Sequence, residues 1–369
     1  MYFMLQQRKM VLLLKSNYYF KIYTKKVSYE FVIKRNIAFI RGHSGTGKTS
    51  LINLLYEFNR KIGKITGINV ETKAKWIVFS EELWKYGKED FQDTVIFIDE
   101  NNNFLYTKEF AAYIKNSHNY FVIISRYPYK EYPSLPYSIN EIYKMKSSGK
   151  YNYIESEYAW VPPVTNKPDI IITEDQNTGF NFFSVIAENI GAECKTANGK
   201  NNIYNVLLRE FSSEKKILVV ADGVALGSEI PVLAEMIKKH PNIQLWLPES
   251  FEYLLLSSKM FQSNKYIQDI LNNPSEYITT DYFSWERFFT DLLIQETKNY
   301  SCHYSKSGEL NTCYIENCYC KDKPCHYFIK EDKIDTILGE KAAIFKENKE
   351  SNSESTQLRT LNFLKKKNN

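Results

Sequence analysis

The sequence predicts an α/β protein made of two strand–helix units in succession, and three observations carry that expectation. Short runs made almost entirely of apolar residues recur along the chain and end in polar or acidic groups, as in "NIAFI" (36–40), "TVIFIDE" (94–100), "DIIIT" (169–173) and "KILVVAD" (216–222). Between them lie stretches with apolar residues at helical spacing, such as "SLINLLYEF" (50–58) and "SEIPVLAEMIKKH" (228–240). The alternation breaks once, at "YAWVPPVTNKPD" (158–169), where three prolines interrupt any regular element before the pattern resumes. The expected division is a first unit at 1–160, a second at 168–260, a helical and cysteine-rich segment at 261–345 and a polar tail at 346–369. A length of 369 residues suits two or three units of roughly 100–200 residues each.

The first unit opens with a β-rich leader, residues 10–42, in which Lys and Arg stand between aromatic and aliphatic residues as in several short strands. "NIAFI" then reads as a buried strand running into G-H-S-G-T-G-K-T, Gly42 to Thr49, a full match to the phosphate-binding template G-x-x-x-x-G-K-[ST]. Gly42, Gly45 and Gly47 let the backbone bring its N–H groups close to phosphate. Lys48 would reach the β- and γ-phosphates, and the Thr49 hydroxyl would ligate Mg²⁺. The helix expected at 50–58 adds the positive end of its dipole. Further along, "TVIFIDE" places Asp99 and Glu100 at the end of a buried strand, and "YFVIISR" (120–126) ends in Ser125 and Arg126.

This order resembles the P-loop NTPases, and the leader resembles the β-rich lead-in of ABC-like members. The likeness covers roughly residues 10–160 and is similar to that of a compact bacterial or phage family of ATP-binding proteins. It implies an ATP site at Gly42, Ser44, Gly45, Thr46, Gly47, Lys48, Thr49 and Ser50, with Mg²⁺ at Thr49 and, through water, Asp99. It further implies that Glu100 orients the attacking water and that Ser125 or Arg126 stands beside the γ-phosphate, in its own subunit or across a homo-oligomer. Arg126 could equally cap its strand or pair with an acid. About fifty residues separate Lys48 from Asp99, and there is no LSGGQ-like signature, so the chain is not a complete transporter-type ATPase.

The second unit alternates the strand 169–173, helices at 180–190 and 203–211, the strand 216–222, a helix at 228–240 and the strand 243–250. Such alternation argues for a parallel sheet with helices on its faces and ligands beyond the strand C-termini. Acids occupy those places: Glu174 and Asp175, then Asp222, then Glu249 and Glu252. The arrangement resembles a Toprim domain, the Mg²⁺-binding module of topoisomerases, primases and ATPase-linked nucleases. By that resemblance Glu174 and Asp222 are candidate Mg²⁺ ligands, while Val224 stands where a second aspartate belongs. Asp175, Glu229 or Glu252 could compensate, and the plainer reading is that these acids cap helices and end strands.

In the cysteine-rich segment, Cys313, Cys318, Cys320 and Cys325 follow a C-x₄-C-x-C-x₄-C spacing and are candidate Zn²⁺ ligands. Free cysteines and a redox-active cluster are the alternatives. The cysteines are not spread like a disulfide framework, and no stretch approaches the roughly 20 apolar residues of a membrane span, so a cytoplasmic protein without a membrane partner is expected. Charge is uneven: residues 1–80 hold 15 Lys/Arg against 3 Asp/Glu, although the whole chain carries only +5. That suits a polyanion, whether nucleotide or nucleic acid, although basic residues scattered along strands are more often a solvated face. The expected function is ATP binding and hydrolysis that controls the C-terminal half. The alternatives are an ATP-gated nuclease and an ATP-binding adaptor that hydrolyses little and recruits a protein partner. A role in phage defence or in a mobile element fits by analogy of fold alone.

Overall fold

The computed structural model describes residues 17–60, 67–88, 91–126, 135–149, 151–160, 163, 167–315, 333–346 and 358–360. The chain divides into two compact units, and both are discontinuous. The first takes the residues up to Ala159 together with Asn273–Ser284; the second takes Trp160–Asn272 together with Trp285–Lys367.

The first unit is built on nine strands: β1 (Tyr18–Tyr23), β2 (Ser28–Ile33), β3 (Ile37–Arg41), β4 (Asn69–Glu71), β5 (Lys75–Val78), β6 (Thr94–Asp99), β7 (Tyr120–Ser125), β8 (Ile142–Ser148) and β9 (Tyr151–Ser156). Their order is β4-β1-β2-β9-β8-β3-β7-β6-β5. From β8 to β5 the strands run parallel. β9 turns back against β8, and β2 pairs with it in parallel, so the leader extends the main sheet rather than forming a layer of its own.

β3, β6 and β7 are apolar between their ends, where Arg41, Thr94, Asp99 and Ser125 stand, because both faces are covered. Ala38, Ile40, Val95, Phe97, Val122 and Ile124 share one face with Leu51 and Leu55 of the Lys48–Asn59 helix. On the other face Phe121 meets Phe110 of the Lys108–Asn116 helix, with ring centroids 6.1 Å apart. Phe20 of β1 and Phe31 of β2 also touch Phe97 of β6, at 5.2 and 6.3 Å, although five strands lie between β1 and β6 in the order. The sheet therefore curls around the Lys48–Asn59 helix.

The returning segment Asn273–Ser284 fastens to the opposite edge of the parallel strands. Asn36, just before β3, donates from Nδ2 to Tyr282 O at 3.1 Å, and Thr280 donates to Asp93, just before β6, at 3.2 Å. His118, which precedes β7, lies 3.5 Å from Asp281.

β10 (Tyr158–Trp160) lies at the boundary of the units. The second unit holds four parallel strands, β11 (Ile170–Thr173), β12 (Glu193–Thr196), β13 (Ile217–Val220) and β14 (Ile243–Trp246), in the order β12-β11-β13-β14. Helices Thr178–Ile190, Ile203–Glu210 and Ile230–Lys239 connect them. The chain leaves β11 toward β12 and returns on its other side for β13, so a crevice opens beyond Thr173 and Val220. β12 is absent from the sequence expectation because "ECKT" at a sheet edge carries no apolar run. Among the described residues, no helix is long and apolar enough to cross a membrane.

Candidate functional site

At the C-terminal edge of the parallel strands, the loop after β3 leads straight into the Lys48–Asn59 helix. Gly47 precedes that helix at φ +98°, in left-handed backbone, and no side chain caps the helix and no acid stands in its first turn. A Cβ on Gly47 would come within 2.9 Å of the Tyr29 hydroxyl, and one on Gly42 within 2.4 Å of Thr46 Oγ1. The left-handed backbone requires glycine at Gly47, and at Gly42 any side chain would force Thr46 to move. Thr46 Oγ1 donates to His43 O at 2.9 Å and holds the turn.

Lys48 is 6% exposed, with its ammonium donating to the carbonyls of Gly42 and, at 3.1 Å, His43. Burial lowers its pKa, and Glu100 and Asp99 oppose that shift while Arg126 adds to it. Ser44, Gly45, Thr49 and Ser50 are exposed along the same loop and first turn, and Thr46 is half-buried.

Tyr29, buried on β2, donates its hydroxyl to Gly47 O at 2.9 Å and is also bonded to Ser50 and Asn152. Sequence inspection gave no sign of this prop, because β2, although next to β3 in the chain, is separated from it in the sheet by β9 and β8. Removing the donor leaves a loop carbonyl short of one partner, a loss of about 1 kcal/mol. If this loop holds the ATP that its motif leads one to expect, Tyr29→Phe is accordingly expected to weaken that binding roughly fivefold while the melting temperature stays within a few degrees. Titration calorimetry and a melt of the same sample check both parts.

Registers bring Ile40, Ile124 and Asp99 level across β3, β7 and β6, so the groups that follow them converge. Asp99 Oδ1 accepts the Glu100 N–H at 2.9 Å and Oδ2 accepts Asn101 Nδ2 at 2.6 Å, which leaves each oxygen a further lone pair. Glu100 is held by Arg126 twice. Oε1 lies 2.9 Å from Arg126 Nε, and Oε2 accepts the Arg126 backbone N–H. Thr49 and Asp99 offer the hard oxygen donors that Mg²⁺ takes alongside phosphate and water.

In the second unit, a cavity of about 200 Å³ lies beyond β11 and β13 and is lined by Glu174, Asp222, Glu252, Glu286 and Lys306 among others. Glu174 and Asp222 meet there, with the Asp222 N–H donating to Glu174 Oε2 at 3.0 Å. The other acids divide by role. Asp175 accepts the Asn177 and Gly179 N–H groups and starts the Thr178–Ile190 helix, and Glu229 accepts from Ser228. Glu252, at the start of the Phe251–Leu256 helix, is 2% exposed and reaches the cavity. Val224 is buried. Glu286, on the Trp285–Thr297 helix, and Lys306 had no signal in the sequence, since both come from distant segments without a motif.

Burial pushes the Glu174 carboxyl up to about 7, with the Asp222 N–H and Lys200 opposing and Glu286 and Asp175 adding. Asp222 is raised well above its usual range by burial, then by Glu286, Glu174 and Glu252, against the pull of Lys306. A carboxyl whose pKa rises on folding contributes stability that is complete below its ordinary value of 4.5 and is lost as pH rises through about 7. Wild type is expected to lose stability between those values relative to Glu174→Gln, whose amide does not titrate. Melting curves of the two across that range read the difference, and parallel curves would contradict it.

Among the described residues, no group of three or more His, Cys, Asp and Glu is arranged to hold a metal ion. The second-unit acids as they stand do not fit a divalent cation, since an ammonium already faces two of them. Of the proposed zinc ligands, Cys313 is buried, and Cys318, Cys320 and Cys325 lie outside the described residues. No protein-family model matches this sequence, and no curated protein sequence matches it.

Proposed function

We propose that this chain is a P-loop NTPase that binds ATP at Gly42–Ser50 and hydrolyses it, with nucleotide occupancy controlling the second unit. One arrangement carries the reading. A glycine loop meets an uncapped helix N-terminus, a buried lysine stands at the first helical position, and Asp99, Glu100 and Arg126 end the neighbouring strands.

The loop amides and the helix end bind phosphate oxygens. Lys48, which donates to the Gly42 and His43 carbonyls, transfers those N–H groups to the β- and γ-phosphates. Thr49 and Asp99 would hold Mg²⁺, which neutralises charge building on the phosphates. Glu100 orients water for attack on the γ-phosphate once Arg126 turns from its carboxylate toward the phosphate. Control of the second unit is supported by the path of the chain, since Asn273–Ser284 belongs to the first unit while both its flanks belong to the second.

The test is calorimetric ATP titration with phosphate release from the full chain, beside Lys48→Ala. Unchanged affinity in that variant would remove the reading, and tight binding without phosphate release would select an adaptor. An ATP-gated nuclease is the second reading, and the Lys306 ammonium held against Glu252 and Glu286 weighs against it. DNA or RNA cleavage that disappears in Glu174→Ala would select it.

A further inference from the structure

Glu174, Asp222, Glu252 and Glu286 reach the second-unit cavity from four different elements. Like charges held this close need a cation or a proton. Lys306 supplies the cation. Its Nζ lies 3.4 Å from Glu252 Oε1 and pairs with Glu286 Oε1. Its side chain is 47% exposed, yet its position is set, because the loop that brings it is fixed on both sides. Tyr304, two residues earlier and 3% exposed, donates its hydroxyl to the same Glu252 Oε1 at 2.9 Å and lies 3.1 Å from Thr178 Oγ1. The Tyr304 N–H donates to Thr297 Oγ1 at 2.9 Å, and Asn311 Nδ2 ties the far end of the loop to Ser301 O at 2.9 Å. Glu252 therefore receives a phenol and an ammonium from one loop, on one oxygen.

We propose that the Lys306 ammonium is a tethered cation filling the position a divalent metal would take among these carboxylates, so that a free divalent ion enters only by displacing it. Carboxylates suit a hard divalent cation, and the lysine offers three N–H donors to the same oxygens instead. This stands apart from the ATP reading, since every residue it uses lies in the second unit.

The probe is Mn²⁺ alone, followed by the electron paramagnetic resonance of the free ion, on the full chain without nucleotide. Wild type, Glu252→Gln, Lys306→Met and the double variant Lys306→Met/Glu252→Gln are compared, so that uptake elsewhere is common to all. Lys306→Met is expected to gain one Mn²⁺ site, at least tenfold tighter than any in wild type, and the double variant to lose it. Wild-type Mn²⁺ uptake that Glu252→Gln abolishes would overturn the proposal, as would a Lys306→Met protein that gains no site. Should Lys306→Met fail to fold alone, circular dichroism during refolding with Mn²⁺ decides: recovery supports the tethered cation, and failure overturns it.

Discussion

Lys48→Ala is expected to weaken ATP binding by at least about 100-fold. The lysine would give charge-assisted hydrogen bonds to two phosphates, each worth about 1.5–3 kcal/mol, and roughly 1.4 kcal/mol is tenfold in affinity. Its place makes the loss hard to repair. The side chain is buried against the loop, and the nearest acids, Glu100 and Asp99, would repel the γ-phosphate without it. The substitution also deprives the Gly42 and His43 carbonyls of a donor, so loop distortion has to be told apart from lost charge. A melting temperature within a few degrees of wild type, together with the loss of ATP affinity by calorimetry, assigns the effect to phosphate. Equal loss of ADP and AMP affinity would point to a distorted loop.

Glu100→Gln is expected to behave in the opposite way, keeping ATP affinity within about threefold while phosphate release slows about 100-fold or more. The amide still accepts from the Arg126 N–H, so the strand ends stay together, but it cannot draw a proton from water. Single-turnover phosphate release beside equilibrium binding separates the two steps. If turnover survives, Glu100 serves only as the ion-pair partner of Arg126, the plainer role that the sequence left open for the arginine.

The first unit was legible where a motif and a periodicity coincide. "IAFIR", "TVIFID" and "YFVIIS" have apolar centres because both sheet faces are covered, and that coverage is what an uninterrupted run of four or five such residues reports. The contacts of β1 and β2 were not legible. Their alternation predicts strands but not partners, and the parallel pairing of β2 with β9 joins residues more than a hundred positions apart. The prop from Tyr29 to Gly47 was lost with it. In the second unit, the strand-end acids Glu174 and Asp222 could be read from position. Glu286 and Lys306 could not, because a helix and a loop from after the alternating segment deliver them. An isolated acid or lysine in such a segment looks like any solvated charge.

Residues 273–284 also govern how the gene can be cut. A fragment ending near residue 160 encodes all nine strands of the first sheet, yet lacks Thr280 and Tyr282 and so strips Asp93 and Asn36 of those partners. A fragment beginning there carries the second unit with a foreign strip of twelve residues in its middle. No single breakpoint yields both units whole. Recombination that swaps either one has to exchange two stretches of coding sequence at once.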